Sequence, residues 1–227
     1  MVARAHGVLG ELVLRRHHRG DGPDGTEVIE LLSGGVFLMD TEDGTTERLL
    51  AEAALRAVSS RDAGSLRVLV GGLGLGLTAA AALTDPRVRE VVVVEIEPVL
   101  TGWLREGFVP PTRSIFDDGR LQVVHGDVLD VLMRAERDRF HAVLLDVDNG
   151  PDFLTHPSNA DLYRAPALTA AAGTLVRGGV LAIWSAEPSA ELAAALEAAV
   201  GPTQELRRVV HRSGRDLEYV LYLATRG

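Results

Sequence analysis

One stretch of the sequence most constrains the fold of this chain. A hydrophobic run enters a glycine-rich turn, an alanine-rich helix follows, and a second hydrophobic run ends in an acid. Residues 68–76 read VLVGGLGLG, and Glu95 ends the later run VVVVE. Glycines let the backbone approach a ligand closely, and the helix that follows turns its N-terminus toward that ligand. An acid about 20 residues after such a turn accepts hydrogen bonds from ribose hydroxyls. The pattern predicts a site for a nucleoside-containing cofactor.

From residue 66 onward, strand-like apolar runs alternate with helical segments. Predicted strands cover residues 67–70, 90–95, 121–125, 142–146, 180–185, 205–211 and 216–224, and predicted helices cover 75–83, 98–107, 128–136, 161–175 and 190–200. Continuous apolar strands between helices indicate a parallel sheet that is covered on both faces. The tight turn RSGR predicts an antiparallel hairpin from the last two strands. The predicted fold class is α/β, with a Rossmann-like, doubly wound, mostly parallel seven-stranded sheet.

The first 46 residues have a different pattern. Short β-type runs at residues 9–15 and 27–39 flank a polar loop at residues 17–25, which predicts a hairpin or a small sheet. Thr45 or Thr46 is expected to cap the helix that follows. We therefore predict an N-terminal β-segment at residues 1–46 and a cofactor-binding domain at residues 47–227.

Composition excludes several classes of protein. A net charge of −9 without an evident basic face argues against a nucleic-acid partner, and the absence of cysteine excludes disulfides and thiolate metal sites. No apolar signal segment stands at the N-terminus, and the uncharged run at residues 68–84 is short and broken by glycines. We expect a cytoplasmic protein with no membrane partner and no metal.

Two cofactor classes fit the glycine turn. Gly74-x-Gly76-x-x-Ala79 satisfies the relaxed dinucleotide pattern, whereas Gly72-x-Gly74-x-Gly76 satisfies the turn of S-adenosylmethionine (AdoMet)-dependent methyltransferases. Downstream features separate them. A nicotinamide enzyme would need a second substrate domain, for which no residues remain, and a closing antiparallel hairpin is typical of class I methyltransferases. An AdoMet-type ligand is therefore favoured.

Two acids after later strands support this choice. Asp127 follows the third strand of the predicted sheet, where a carboxylate can accept from the exocyclic amine of adenine. Asp146 ends the fourth strand, which lies beside the first in a doubly wound sheet, so it should face the same cleft. Tyr163 and Trp184 are further candidates to line an acceptor pocket, and Glu97 is expected to start a helix through its charge.

The order of these motifs resembles the spermidine synthase (polyamine aminopropyltransferase) family over residues 28 to 190. The matching elements are residues 71–76, Glu95-Ile96-Glu97, Gly126-Asp127, Asp146-Val147-Asp148-Asn149 and VRGGVLAIWS at 176–185. The resemblance implies a class I methyltransferase-like fold and a homodimer. It also implies roles for these residues: Gly72, Gly74 and Gly76 around the methionine portion, Glu95 on the ribose, Asp127 on the adenine, and Asp146 with Asp148 at the acceptor.

Three departures from the family pattern bear on the reaction. Gly74 stands where the family has an Asp that holds the aminopropyl amine, and a buried Asp there would repel the carboxylate of intact AdoMet. Asn149 falls where the family has a second acid, and an amide is not a base near neutral pH. The family's Tyr-His pair is absent, and the nearby Arg48 would repel a diamine, so putrescine is not expected as the acceptor.

The sequence thus predicts a spermidine-synthase-like transferase that moves the methyl group of AdoMet, or another sulfonium-attached group, to an unknown small molecule. One alternative is a polyamine aminopropyltransferase that uses decarboxylated AdoMet. The other is a non-catalytic AdoMet-binding protein.

Overall fold

The computed structural model describes residues 1–19, 26–59, 64–147, 150–151, 154, 156–212 and 215–227. In this part of the chain, an antiparallel N-terminal sheet of four strands precedes a seven-stranded sheet flanked by helices. The predicted fold class is confirmed. The division into two domains at residues 46 and 47 stays a prediction.

The N-terminal sheet is a simple antiparallel meander. Its strands, paired in chain order, are Ala3–His6 (β1), Glu11–Arg19 (β2), Thr26–Ser33 (β3) and Val36–Asp40 (β4). The prediction of a polar loop beginning at residue 17 was wrong, because His17 and His18 pair with β3. The sequence also gave no indication of β1, which pairs with β2 from Ala3 to His6.

The large sheet has the order β10-β11-β9-β8-β5-β6-β7. Its strands are Leu66–Gly71 (β5), Val88–Glu95 (β6), Leu121–His125 (β7), Phe140–Leu145 (β8), Leu175–Ser185 (β9), Thr203–Arg212 (β10) and Arg215–Thr225 (β11). β5 to β9 pair with one another in parallel, and β11 runs antiparallel to both β9 and β10. The predicted closing hairpin is confirmed, while its RSGR turn includes residues 213 and 214, outside the described ones.

Helices cover both faces of this sheet. The α-helices are Thr45–Ala57 (α1), Leu77–Thr84 (α2), Pro98–Arg105 (α3), Val128–Arg134 (α4), Ala165–Thr174 (α5) and Ala190–Ala199 (α6), and the 3₁₀-helices are Pro110–Asp117 and Pro157–Tyr163. The core alternates along each strand: Val68 and Val70 pack on one face, and Leu69 packs on the other. Both faces are therefore buried, as the continuous apolar runs predict.

Two helix predictions were wrong in detail. The predicted helix at residues 161–175 is divided, because Pro166 lacks an N–H and its ring clashes with a preceding helical turn. The N-cap of α1 is Gly44, without a side-chain hydrogen bond, instead of Thr45 or Thr46. Thr46 Oγ1 donates instead to Glu47 Oε2 at 2.7 Å.

No helix within the described residues combines the length and the apolar character needed to cross a membrane.

Candidate functional site

A cavity of about 600 Å³ opens at the carboxyl ends of the central parallel strands. Its wall includes the glycine turn after β5, Glu95 at the end of β6, Asp127 after β7 and Asp146 after β8. The chain passes from β5 outward to β7 and then returns to β8 on the other side of β5. Ligands of doubly wound sheets bind at this kind of reversal in strand order.

The glycine turn and the end of β8 touch through their backbones. Asp146 N donates to Gly71 O at 2.9 Å. Gly72 has φ +87°, and a Cβ at this position would overlap the carbonyl oxygen of Asp146. A glycine is therefore required at position 72 for the two strand ends to approach each other.

The Leu75 peptide in the turn is held from two sides. Its N–H donates to Met39 Sδ from β4 at 3.3 Å, and its carbonyl accepts from Thr112 Oγ1 of a 3₁₀-helix at 2.6 Å. Gly76 follows as the N-cap of α2. The N-terminal sheet and the 3₁₀-helix thus both fix the shape of the turn.

Glu95 fastens the end of β6 to the same turn. Its Oε2 accepts from Leu73 N at 2.7 Å, and its Oε1 accepts from Glu97 N at 2.8 Å. Burial raises the pKa of Glu95, and these backbone N–H groups partly offset the rise. A carboxylate has about four lone-pair sites, so ribose hydroxyls could still donate to it. The ribose role stays a prediction.

Glu97 joins the large sheet to the N-terminal sheet. Its Oε2 accepts from Val8 N at 2.7 Å, and its Oε1 accepts from Leu9 N at 2.8 Å. Sequence reasoning favoured a role for Glu97 at the start of α3 over a contact with ribose; Glu97 is the N-cap of α3, although its side chain makes no capping hydrogen bond. The carboxylate instead anchors the turn between β1 and β2.

Asp127 caps the helix that follows it. Its Oδ1 accepts from Leu129 N at 2.8 Å, which satisfies one of the free amides at the start of α4. The residue also lines the cavity. The predicted contact with adenine is compatible with this position and stays a prediction.

Asp146 is oriented by a hydroxyl from the neighbouring helix. Thr78 Oγ1 donates to Asp146 Oδ2 at 2.5 Å. Burial raises the pKa of Asp146, and the hydrogen bond from Thr78 acts in the opposite direction. Among the described residues, Oδ1 has no hydrogen-bond partner. The second predicted catalytic residue, Asp148, and the departure at Asn149 lie outside the described residues.

The cavity wall is strongly acidic. Nine of the described lining residues carry a carboxyl group and none carries a basic side chain; the nine are Asp43, Glu47, Glu95, Glu97, Asp127, Asp146, Glu187, Asp216 and Glu218. Arg48, which the sequence analysis expected to repel a diamine, is exposed and is not among the lining residues. The charge of the wall therefore favours cationic ligands.

Two aromatic rings form part of the wall beside the last hairpin. Trp184 and Tyr219 pack with their ring centroids 5.0 Å apart, and both line the cavity. Trp184 was a predicted lining residue, whereas Tyr163, predicted with it, is buried in the core and does not line the cavity.

Sequence reasoning missed Met39, Thr78 and Tyr219. Thr78 lies two residues after the glycine turn and could have been found from that position. The other two come from distant parts of the chain. No group of three or more His, Asp or Glu residues in the described ranges is arranged to hold a metal ion.

A doubly wound sheet with a glycine turn and acids at neighbouring strand ends defines a class I methyltransferase-like protein. No family model matches the chain. It is 30% identical over 191 residues to the polyamine aminopropyltransferase of Mycobacterium tuberculosis strain H37Rv, covering 83% of this chain and 33% of that protein. It is also 30% identical over 117 residues to putrescine N-methyltransferase 2 of Nicotiana tabacum, covering 51% of this chain and 31% of that protein.

The fold comparison agrees with these relatives. The crystal structure of spermidine synthase from Thermotoga maritima superposes with a TM-score of 0.78 at 16% identity, covering 99% of this chain and 72% of that one. The chain is therefore similar to the spermidine synthase family in sequence over 191 residues and in fold over nearly its whole described length. It spans about a third of the length of the curated relatives it matches.

Proposed function

We propose that this protein transfers the methyl group of AdoMet to the nitrogen of a small, positively charged amine. The observation that carries the proposal is the acidic cavity that joins the glycine turn to the strand-end acids. Both reactants would be cations, a sulfonium and an ammonium, and a wall of carboxyl groups favours both.

The choice of donor rests on the glycine turn. A carboxylate at position 74 would favour the amine of decarboxylated AdoMet and repel the carboxylate of AdoMet itself. Position 74 is a glycine, and the thioether of Met39 lies beside it, so this part of the wall is uncharged. The turn is therefore suited to a donor that still has its carboxylate.

The choice of acceptor revises the expectation from the sequence. The argument against a diamine rested on the absent Tyr-His pair and on repulsion by Arg48, and Arg48 is exposed and outside the lining. Three glutamates do line the cavity, and their side chains are acidic where that of Arg48 is basic; they are Glu47, Glu187 and Glu218. An ammonium group at the acceptor end would be attracted to them, so an amine fits better than a carboxylate-bearing acceptor.

The chemical step requires a neutral nitrogen. The lone pair of the amine attacks the methyl carbon while the carbon–sulfur bond breaks, and sulfur keeps that electron pair as the neutral thioether S-adenosylhomocysteine. Asp146 Oδ1 would accept one proton from the bound ammonium before the attack, which leaves the nitrogen neutral, while Oδ2 is held by Thr78. A pKa raised by burial makes this carboxylate a stronger base.

Two measurements on the purified protein test the proposal. Calorimetry compares the affinity for AdoMet with that for decarboxylated AdoMet, and AdoMet should bind more tightly. Methyl-labelled AdoMet is then offered with putrescine, with longer polyamines and with the diol of the same chain length as putrescine. Label should reach the amines and not the diol; labelling of the diol instead of the amines would contradict the assignment of an amine acceptor.

A second candidate function is aminopropyl transfer, favoured by the relative from M. tuberculosis that aligns over most of this chain. It requires that decarboxylated AdoMet bind more tightly than AdoMet and that its reaction with an amine yield a lengthened polyamine. Donor binding without transfer to any acceptor would instead indicate a non-catalytic binding protein.

A further inference from the structure

Met39 reaches from the N-terminal sheet onto the turn that would hold the donor. Its Sδ lies 3.3 Å from Leu75 N and accepts that N–H. A Cβ built at Gly74 would stand 2.6 Å from the same sulfur. The thioether therefore occupies the volume into which a side chain at position 74 would project.

A thioether is a weak hydrogen-bond acceptor, whereas a carboxylate is a strong one. The Leu75 N–H is thus paired with a partner that a carboxylate can readily replace. Met39 is only half-buried and lines the cavity, so its side chain has open space on one side into which it can move.

We propose that Met39 is a specificity-determining residue for the donor: the α-carboxylate of AdoMet displaces its thioether from the Leu75 N–H. This inference rests on the proposed function. At the corresponding end a decarboxylated donor carries only an ammonium, which cannot accept this N–H, so the thioether stays in place. The neutral side chain also keeps the wall beside Gly74 free of charge.

The variant Met39→Leu tests the inference because it preserves the volume of the side chain and removes the acceptor. The Leu75 N–H then has no thioether partner in the unliganded protein, and only a donor with a carboxylate can restore one. We expect the affinity for AdoMet, relative to decarboxylated AdoMet, to rise about three- to tenfold. Met133→Leu, an exposed substitution on α4, is the matched control and should leave the ratio unchanged.

A second readout follows the Leu75 amide directly by nuclear magnetic resonance. AdoMet should move its proton signal downfield, because a charged acceptor replaces sulfur, and 5′-methylthioadenosine, which lacks the amino-acid part, should not. An unchanged affinity ratio in Met39→Leu, or equal amide shifts with both ligands, overturns the role of Met39 alone. Failure of wild-type protein to bind AdoMet would overturn the proposed function as well.

Discussion

Thr78 Oγ1 donates a 2.5 Å hydrogen bond to Asp146 Oδ2 and so joins the first turn of α2 to the end of β8. The helix that follows the glycine turn therefore orients the acid proposed to act on the acceptor. The proposed donor and acceptor sites therefore share one structural support, since a shift of α2 would move both the turn and the carboxylate.

Asp146→Asn should abolish most turnover while the donor still binds. An amide cannot accept the proton of the acceptor nitrogen, and loss of a general base lowers rates by about 10²- to 10⁴-fold. Steady-state methyl transfer and calorimetry with AdoMet measure the two effects separately. Asp130→Asn, on the exposed side of α4, is the control; a normal rate in Asp146→Asn would remove the catalytic assignment.

The raised pKa of Asp146 predicts how this variant changes stability with pH. Above the ordinary carboxyl pKa of 3.8, the folded protein keeps a proton that the unfolded chain has lost. Its contribution to the free energy of unfolding therefore falls as the pH rises toward the folded-state pKa. The Asp146→Asn side chain does not titrate, so its free energy of unfolding does not fall in this way. The variant should be more stable than wild type at pH 7, with little difference at pH 3.

Urea unfolding of both proteins across this pH range provides the measurement. The quantity to compare is the difference in free energy of unfolding between the two proteins. Other carboxyl groups also titrate: Arg87 and Arg120 lower the pKa values of Asp85 and Asp118, so the contribution of these two acids to stability rises with pH in both proteins. A difference that does not vary with pH would show that Asp146 titrates alike in the folded and unfolded states.

Gly72→Ala should destabilise the protein, whereas Gly102→Ala should stabilise it slightly. At position 72 a methyl group meets the Asp146 carbonyl and the backbone has φ +87°. The conformational strain alone costs about 1–2 kcal/mol, and the overlap adds to it. Gly102 lies within α3 with nothing near its missing Cβ, so alanine there should add about 0.5–1 kcal/mol. Urea midpoints compare the two, and equal midpoints would contradict the close approach at Gly72.

Glu97→Gln should loosen the turn between β1 and β2. An amide has one acceptor oxygen, so it can hold only one of Val8 N and Leu9 N in the present geometry. We expect a loss of about 1–3 kcal/mol of local stability. Hydrogen exchange at these two amides should accelerate while the amides of β5 and β8 keep their protection. Unchanged exchange at Val8 and Leu9 would show that Glu97 is not their anchor.

The sequence predicted the parallel sheet well because its strands are continuously apolar and the glycine turn marks β5. Gly72, Glu95, Asp127 and Asp146 all line one cavity because parallel strands end at the same edge. This part of the candidate site depends on local patterns and on strand order, both of which the sequence carries.

Contacts between distant segments could not be predicted. Nothing in the run FLMD indicates that Met39 would reach Leu75, and nothing beside Pro98 indicates that Glu97 would bind the amides of Val8 and Leu9. Arg48 illustrates the opposite error, because its proximity in sequence to the expected acceptor site does not place it in the cavity wall.

The hydrogen bonds from Val8 and Leu9 to Glu97 can be lost while the parallel sheet stays folded. Leu9 and Leu12 form part of the cavity wall, but the sheet that carries them lies outside the strand order of the parallel core. Cleavage that releases residues 1–9 would leave the strands of that core paired, but it would remove Leu9 from the cavity wall and deprive Glu97 of both donors. We expect a preparation trimmed in this way to retain its parallel sheet and to lose the proposed transfer activity.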